Sequence, residues 1–95
     1  MSKELREEIE KAICSISTFR VLAELAKHPT KTYTKYALSK ATMLDAKDVS
    51  NAIKKLLEIN WIEEVNLGSI KVYKINLNND KVRILTEFLR KINYI

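Results

Sequence analysis

Residues 45–65, DAKDVSNAIKKLLEINWIEEV, constrain what this chain can fold into more than any other stretch. From Val49 onward the apolar residues Ala52, Ile53, Leu56 and Leu57 recur at helical spacing and fall on one face. Asp45 precedes that pattern with Asp48 three positions on, the spacing of a capping box with Asp in place of the usual Glu. The opposite arc carries Lys47, Ser50, Asn51 and Lys54, and the helix runs straight into a β-prone segment at Trp61. A helix with one apolar stripe must lay it on a core and leave the other arc in solvent.

The flanking segments extend this pattern. Residues 35–42, KYALSKAT, read as a short helix with Thr34 as its N-cap and Tyr36, Ala37, Leu38 and Ala41 available for burial. The link Thr42-Met43-Leu44 is three residues long. A short helix, a three-residue turn and a longer helix make the helix-turn-helix layout. Downstream, Trp61–Asn66 and Ile70–Leu77 read as two strands. Leu67-Gly68-Ser69 joins them and holds the single glycine of the chain, as a tight hairpin needs.

Residues 3–15 carry a helical stripe of Leu5, Ile9, Ala12 and Ile13. A second pattern passes through Phe19, Val21, Leu22, Leu25 and Ala26 and stops at His28-Pro29, because proline disfavours helical geometry in the residue before it. Residues 3–28 read equally well as one kinked helix or as two. Thr30–Thr34 is short and β-prone, and Asn78-Asn79-Asp80 caps a final helix with Val82, Leu85, Leu89 and Ile92 at near-heptad spacing. The expected architecture is mainly α with a small β-hairpin.

A chain of 95 residues, 46% hydrophobic, supports one domain. It divides into an N-terminal helix over 1–17, a core over 18–77 and a C-terminal helix over 78–95. No apolar run approaches the ~20 residues needed to cross a bilayer. The charged start MSKELREEIEK lacks the apolar centre of a signal peptide. One cysteine excludes an internal disulfide framework and a cysteine-rich zinc site. These features point to a cytoplasmic protein with no membrane partner and no metal or other cofactor. One His and one Cys, remote from each other, offer no nucleophile–base arrangement, so the sequence points away from an enzyme.

The net charge of +5 is unevenly spread. Residues 1–26 carry −1 and residues 56–95 carry +1, whereas residues 27–55 hold seven Lys against two Asp. The whole excess thus coincides with the helix-turn-helix, and a localised basic patch suits a polyanion. Lys47, Ser50, Asn51 and Lys54 set short hydrogen-bonding groups between long cations, the mix that touches base edges and phosphates in a DNA groove. Asn51 and Ser50 are the candidate base readers, with Lys47 or Lys54 meeting guanine or phosphate. Residues 45–58 nonetheless sum to zero charge, so affinity must draw on lysines outside this helix, while Lys55 on the helix itself is expected mainly to hold phosphate.

Three stretches, STFRVLAELA, YALSKATMLDAKDVSNAIKKLLE and WIEEV…VYKINL, together resemble the winged helix-turn-helix domain of MarR- and ArsR-type transcriptional regulators over residues 18–77. The resemblance implies that the second motif helix enters the major groove of double-stranded DNA and the wing approaches the flanking backbone. It places Lys35 and Lys40 near phosphates and Lys71, beside the hairpin turn, as the wing contact. The wing is short and has no Arg, so the expectation is limited to a backbone touch. Met43 stands where such proteins usually have Gly, so the turn either avoids a left-handed residue or tolerates one at a cost.

The leading expectation is a sequence-specific regulator acting as a homodimer. An architectural DNA-coating protein and a winged-helix protein-interaction module are the alternatives. Surplus apolar residues at both ends, Leu5, Ile9 and Ile13 with Val82, Leu85, Phe88, Leu89 and Ile92, mark the expected dimer interface. Cys14 reads by default as a buried inert thiol, with an intersubunit disulfide as the sharper alternative. Trp61 and Tyr73 are expected to fill the space between hairpin and helices, and His28 to cap a helix end. No effector pocket can be named from the sequence.

Overall fold

Each helix of the chain begins at a side-chain oxygen that accepts an otherwise orphaned backbone N–H. The computed structural model describes residues 2–95. In order these form α1 (Lys3–Ile13), α2 (Ile16–Lys27), α3 (Lys35–Thr42), α4 (Ala46–Glu58), β1 (Ile62–Leu67), β2 (Ile70–Ile75) and α5 (Asp80–Lys91). The capping residues are Ser2, Ser15, Thr34, Asp45 and Asn79. Ser15 resolves the open question over residues 3–28. Its backbone is extended and its hydroxyl accepts from the Thr18 N–H at 3.1 Å, which breaks the segment into two helices. At the far end His28 caps α2 with a non-helical backbone, as Pro29 requires.

The turn between α3 and α4 does contain the left-handed residue. Met43 sits at φ 61° and ψ 30° with its side chain 87% exposed. Two hydroxyls brace that turn: Ser39 donates to the Leu44 carbonyl at 2.5 Å and buried Thr42 donates to the Leu38 carbonyl at 2.6 Å. Asp45 then accepts from the Asp48 N–H at 2.8 Å. The return bond of a capping box is not formed among the described residues.

The core is built on α2, α3 and α4. Val21, Leu22, Leu25, Leu38, Val49, Ala52, Ile53 and Leu56 are all buried. Ala12 of α1 and Val82 of α5 close this cluster from outside. Here one expectation is corrected. Val82 and Leu89 are only 1% and 3% exposed within the single chain, so they belong to its own core and offer no surface to a partner.

The hairpin is antiparallel and in register from Ile62↔Ile75 to Leu67↔Ile70, leaving Gly68-Ser69 as a two-residue turn. Within the turn Gly68 has φ 72° and Ser69 does not have a positive φ, the signature of a type II′ turn. Strand β2 stops at Ile75, two residues short of expectation, because Asn76 is bound instead to the end of α4. Its N–H donates to the Trp61 carbonyl at 3.0 Å and its amide to the Asn60 carbonyl at 2.8 Å. The β-prone Thr30–Thr34 segment contributes a single bridge, Tyr33 to Tyr73, bonded in both directions at 2.8 Å. Trp61 and Tyr73 are buried at the base of the hairpin, as the sequence predicts.

Glu8 links three elements at that base. It accepts from the Trp61 indole N–H at 2.5 Å and pairs with Lys81 of α5 at 3.1 Å. Partial burial pushes its carboxyl upward in pKa, but the bonds from Trp61 and Lys81 outweigh this and hold it below the ordinary value of 4.5. A depressed carboxylate contributes stability that is present above the unfolded-state pKa and lost as pH falls through the folded one.

Two stability measurements follow from this packing. Met43→Gly should raise stability by about 0.5–1 kcal/mol in urea titration, the relieved left-handed strain exceeding the added freedom of the unfolded chain. A loss of stability would show that Met43 carries no strain. Glu8→Gln should lower stability at pH 7 by about 1 kcal/mol, since the ion pair is removed and the indole bond weakened. Its stability should also depend less on pH below 4.5 than that of the parent chain. Parallel curves for the two proteins would remove Glu8 as the source of that dependence.

Candidate nucleic-acid interface

Because the apolar side of α4 is buried, its other side is set in solvent. Lys47, Asn51 and Lys54, at spacings of four and three, line that outer arc and are all exposed, while Ser50 is half-buried at its edge. Lys55 is half-buried beside them. Lys35, in the first turn of α3, and Lys40, in its last, are exposed, as is Lys71 on β2 next to the hairpin turn. The α3 and α4 groups therefore belong to one motif, and Lys71 to a separate projection.

Two of the three acids of the α4 segment are engaged, while Asp48 sits half-buried in the first turn of the helix, off the outer arc. Asp45 is occupied by the helix cap. Glu58 pairs with Lys11 of α1, which holds its carboxyl below the usual range and raises the pKa of the Lys11 ammonium. The zero formal charge of residues 45–58 is thus not the charge presented on the outer arc. The wider segment shows the same separation. Ion pairs join Lys11 to Glu58, Lys74 to Glu63, Lys81 to Glu8, Arg83 to Asp80 and Lys91 to Glu87. Among the described residues none of the seven lysines of 27–55 takes part in one.

Three further exposed groups of the basic segment were not singled out as such from the sequence. Lys27 and Lys31 are exposed, and the Lys31 ammonium lies 4.7 Å from the Tyr33 ring centroid. Tyr36, expected in the core, is instead 72% exposed with the Lys40 ammonium 5.4 Å from its ring centroid. The reason is the helical period. Leu38 and Thr42, four apart, form the buried stripe of α3. Tyr36, two positions from Leu38, falls about 200° around the helix.

A second surface lies between α1 and α5. Ile9, Ile13, Trp61, Lys81, Ile84, Leu85 and Phe88 line an almost wholly apolar groove of about 380 Å³. Ile13, Ile84 and Phe88 are exposed there, Ile9 and Leu85 half-buried, and Ile92 is exposed further along α5. Leu5 is half-buried on α1. Cys14 is exposed at the corner between α1 and α2, which corrects the expectation of a buried thiol: α1 ends before it, so it is carried off the apolar stripe. No helix among the described residues is long and apolar enough to cross a membrane.

No known family model matches the chain. An uncharacterized protein of Borreliella burgdorferi is 29% identical over 105 residues, which takes in 98% of this chain but only 11% of the length of that protein. Solved structures are more informative about architecture. A homodimeric winged helix-turn-helix DNA-binding domain from Mycobacterium bovis, a possible ArsR-family transcriptional regulator, superposes with a TM-score of 0.69 at 17% identity, covering 98% of this chain and 87% of that one. The fold is a winged helix-turn-helix. NolR from Sinorhizobium fredii superposes at a TM-score of 0.70 and 21% identity, over 97% of this chain and 93% of its own. A possible transcriptional regulator from Methanosarcina mazei does so at 0.65 and 22%, over 92% and 77%. In winged-helix terms α3 and α4 are the motif and β1–β2 is the wing.

Proposed function

We propose that this winged helix is a sequence-specific DNA-binding transcriptional regulator acting as a homodimer, with α4 in the major groove. The observation that carries the reading is the separation of charge. Seven lysines without ion-pair partners, three of them on α4 and two on α3, occupy the segment that also offers Asn51 and Ser50, while every ion-paired cation among the described residues lies outside residues 27–55. Phosphates are the partner that completes such a surface, and the amide and hydroxyl are the groups that can read base edges. The transcriptional regulators among the similar structures support the same reading.

In this arrangement Asn51 and Ser50 face bases, Lys47 and Lys54 meet guanine or phosphate, and Lys35, Lys40 and Lys55 hold phosphates. Lys71 reaches the backbone from the wing. A two-fold dimer sets two α4 helices in successive major grooves, so the preferred site is a pseudo-palindrome with half-sites about 10 bp apart. Selection from randomised duplexes identifies it. On that site Asn51→Ala should cost about 1–3 kcal/mol and relax preference at one base pair. Lys40→Ala should weaken cognate and scrambled duplexes alike and flatten the log–log salt slope by roughly 0.9 for each phosphate no longer neutralised. Equal losses for Asn51→Ala on both duplexes would make the protein an architectural binder. No effect from either variant would remove α3 and α4 as the DNA face.

The dimer is proposed to form over the α1–α5 groove, through Ile9, Ile13, Leu85, Phe88 and Ile92 with Leu5 at its margin. Exposed apolar residues on two adjacent helices are the support for this, together with the homodimeric M. bovis domain. Light scattering at micromolar concentration should give twice the 11.0 kDa chain mass, and Phe88→Glu should return the monomer. Cys14 stands at the end of this surface, and pairing of two such thiols would add a reductant-sensitive dimer band on a gel. A monomer at all concentrations would eliminate the dimer and the palindrome with it.

A further inference from the structure

The tip of the wing is apolar. Leu67 and Ile70 flank the Gly68-Ser69 turn and face each other across the hairpin, yet they remain 60% and 54% exposed. Strand alternation sets them on the same side of the sheet as Val65 and Val72. Val72 is buried and Val65 half-buried, so cover ends where the tip begins. A Cβ added at Gly68 would meet nothing within 4 Å, so the turn projects into open space. Five residues of strand carry it about 16 Å beyond the buried base at Ile62 and Ile75. Ser69 lies in the turn beside the pair, Asn66 and Lys71 form the next rung on the opposite face of the hairpin, and residues 66–71 include no acid.

We propose that this tip is an apolar wedge that enters the minor groove of bound DNA, parts a base step and bends the duplex, a reading that rests on the DNA-binding function above. Aliphatic side chains inserted between base pairs unstack them and kink the helix toward the major groove. The Ser69 hydroxyl at the turn supplies a donor for the N3 and O2 acceptors on the groove floor, and Asn66 and Lys71, on the other face of the hairpin, meet the adjoining backbone. Nucleic acid is the occupant because the tip is cationic and lacks acids, and it belongs to the same chain as the lysines left without counter-ions. Pyrimidine–purine steps are the easiest to open, so a TA or CA step flanking each half-site is the expected place. A count of cations alone limits the wing to a backbone touch; the exposed cross-strand pair is what the tertiary structure adds.

The test compares the parent chain with a Leu67→Thr/Ile70→Thr variant, in which β-branched residues keep the cross-strand pair compatible with the hairpin. The probe is a duplex of about 30 bp enriched from a randomised pool, labelled at its ends for energy transfer and carrying 2-aminopurine at the flanking step. The parent should shorten the end-to-end distance and raise 2-aminopurine fluorescence. The double variant, with unchanged melting temperature and mass, should still bind but leave the duplex straight. Ile70→Thr alone, which keeps Leu67 to close the hairpin, repeats the measurement should the double variant melt early. Binding by the parent without bending overturns the wedge and leaves the DNA-binding reading intact. Equal bending by parent and variant overturns it too, as does loss of the dimer in the variant, which would make the tip a contact between copies. Failure of the parent to bind any duplex overturns both readings.

Discussion

The seating of α4 in the core orients the rest of the molecule. Val49, Ala52, Ile53 and Leu56 are buried against α2 and α3, and full burial of a Val, Ile or Leu side chain contributes about 1.5–3 kcal/mol. A helix is stiff, so seating one side fixes the other, and Lys47, Asn51 and Lys54 point outward without contacts of their own to hold them. The same seating aims the wing. Asn60, in the left-handed conformation, ends α4 and turns the chain into Trp61 and β1. Its carbonyl accepts from Asn76 and Asn79, which stitches the end of β2 and the start of α5 to the end of the motif.

Electrostatics divides the surface without stabilising it much. Exposed ion pairs contribute at most about 1 kcal/mol each, so leaving seven lysines unpaired costs the fold little. A polyanion bound as proposed would relieve their mutual repulsion. What matters at α4 is that Glu58 is drawn into an ion pair across to α1, while Asp45 serves as the cap that precedes the helix. Thus α1, which lies outside the motif, influences the charge the motif presents.

Local signals marked much of this architecture. The limits of α3, the start of α4 and the residues of the hairpin turn follow from caps, periodicity and a lone glycine, all of which act within a few positions. The solvent-facing residues of the α4 outer arc were legible for the same reason, since a strong apolar stripe implies its opposite. Tyr36 was not, because α3 is only eight residues long and its stripe is too brief to rank one apolar residue over another. Val82 and Leu89 were also misplaced. Their spacing on α5 revealed an apolar face but not whether that face meets the chain itself or a second copy.

The sequence by itself determined the order and type of the elements, the basic middle segment and the polar arc of α4, because helical period, capping and charge are properties of neighbouring residues. Only the tertiary structure decided which cations stay unpaired, which apolar residues are left exposed, and that Cys14 lies outside the core. Those outcomes depend on contacts such as Lys11 with Glu58 or Trp61 with Glu8, whose partners are 47 and 53 residues apart in the chain. No local pattern encodes such a meeting, since the packing of the helices brings the partners together.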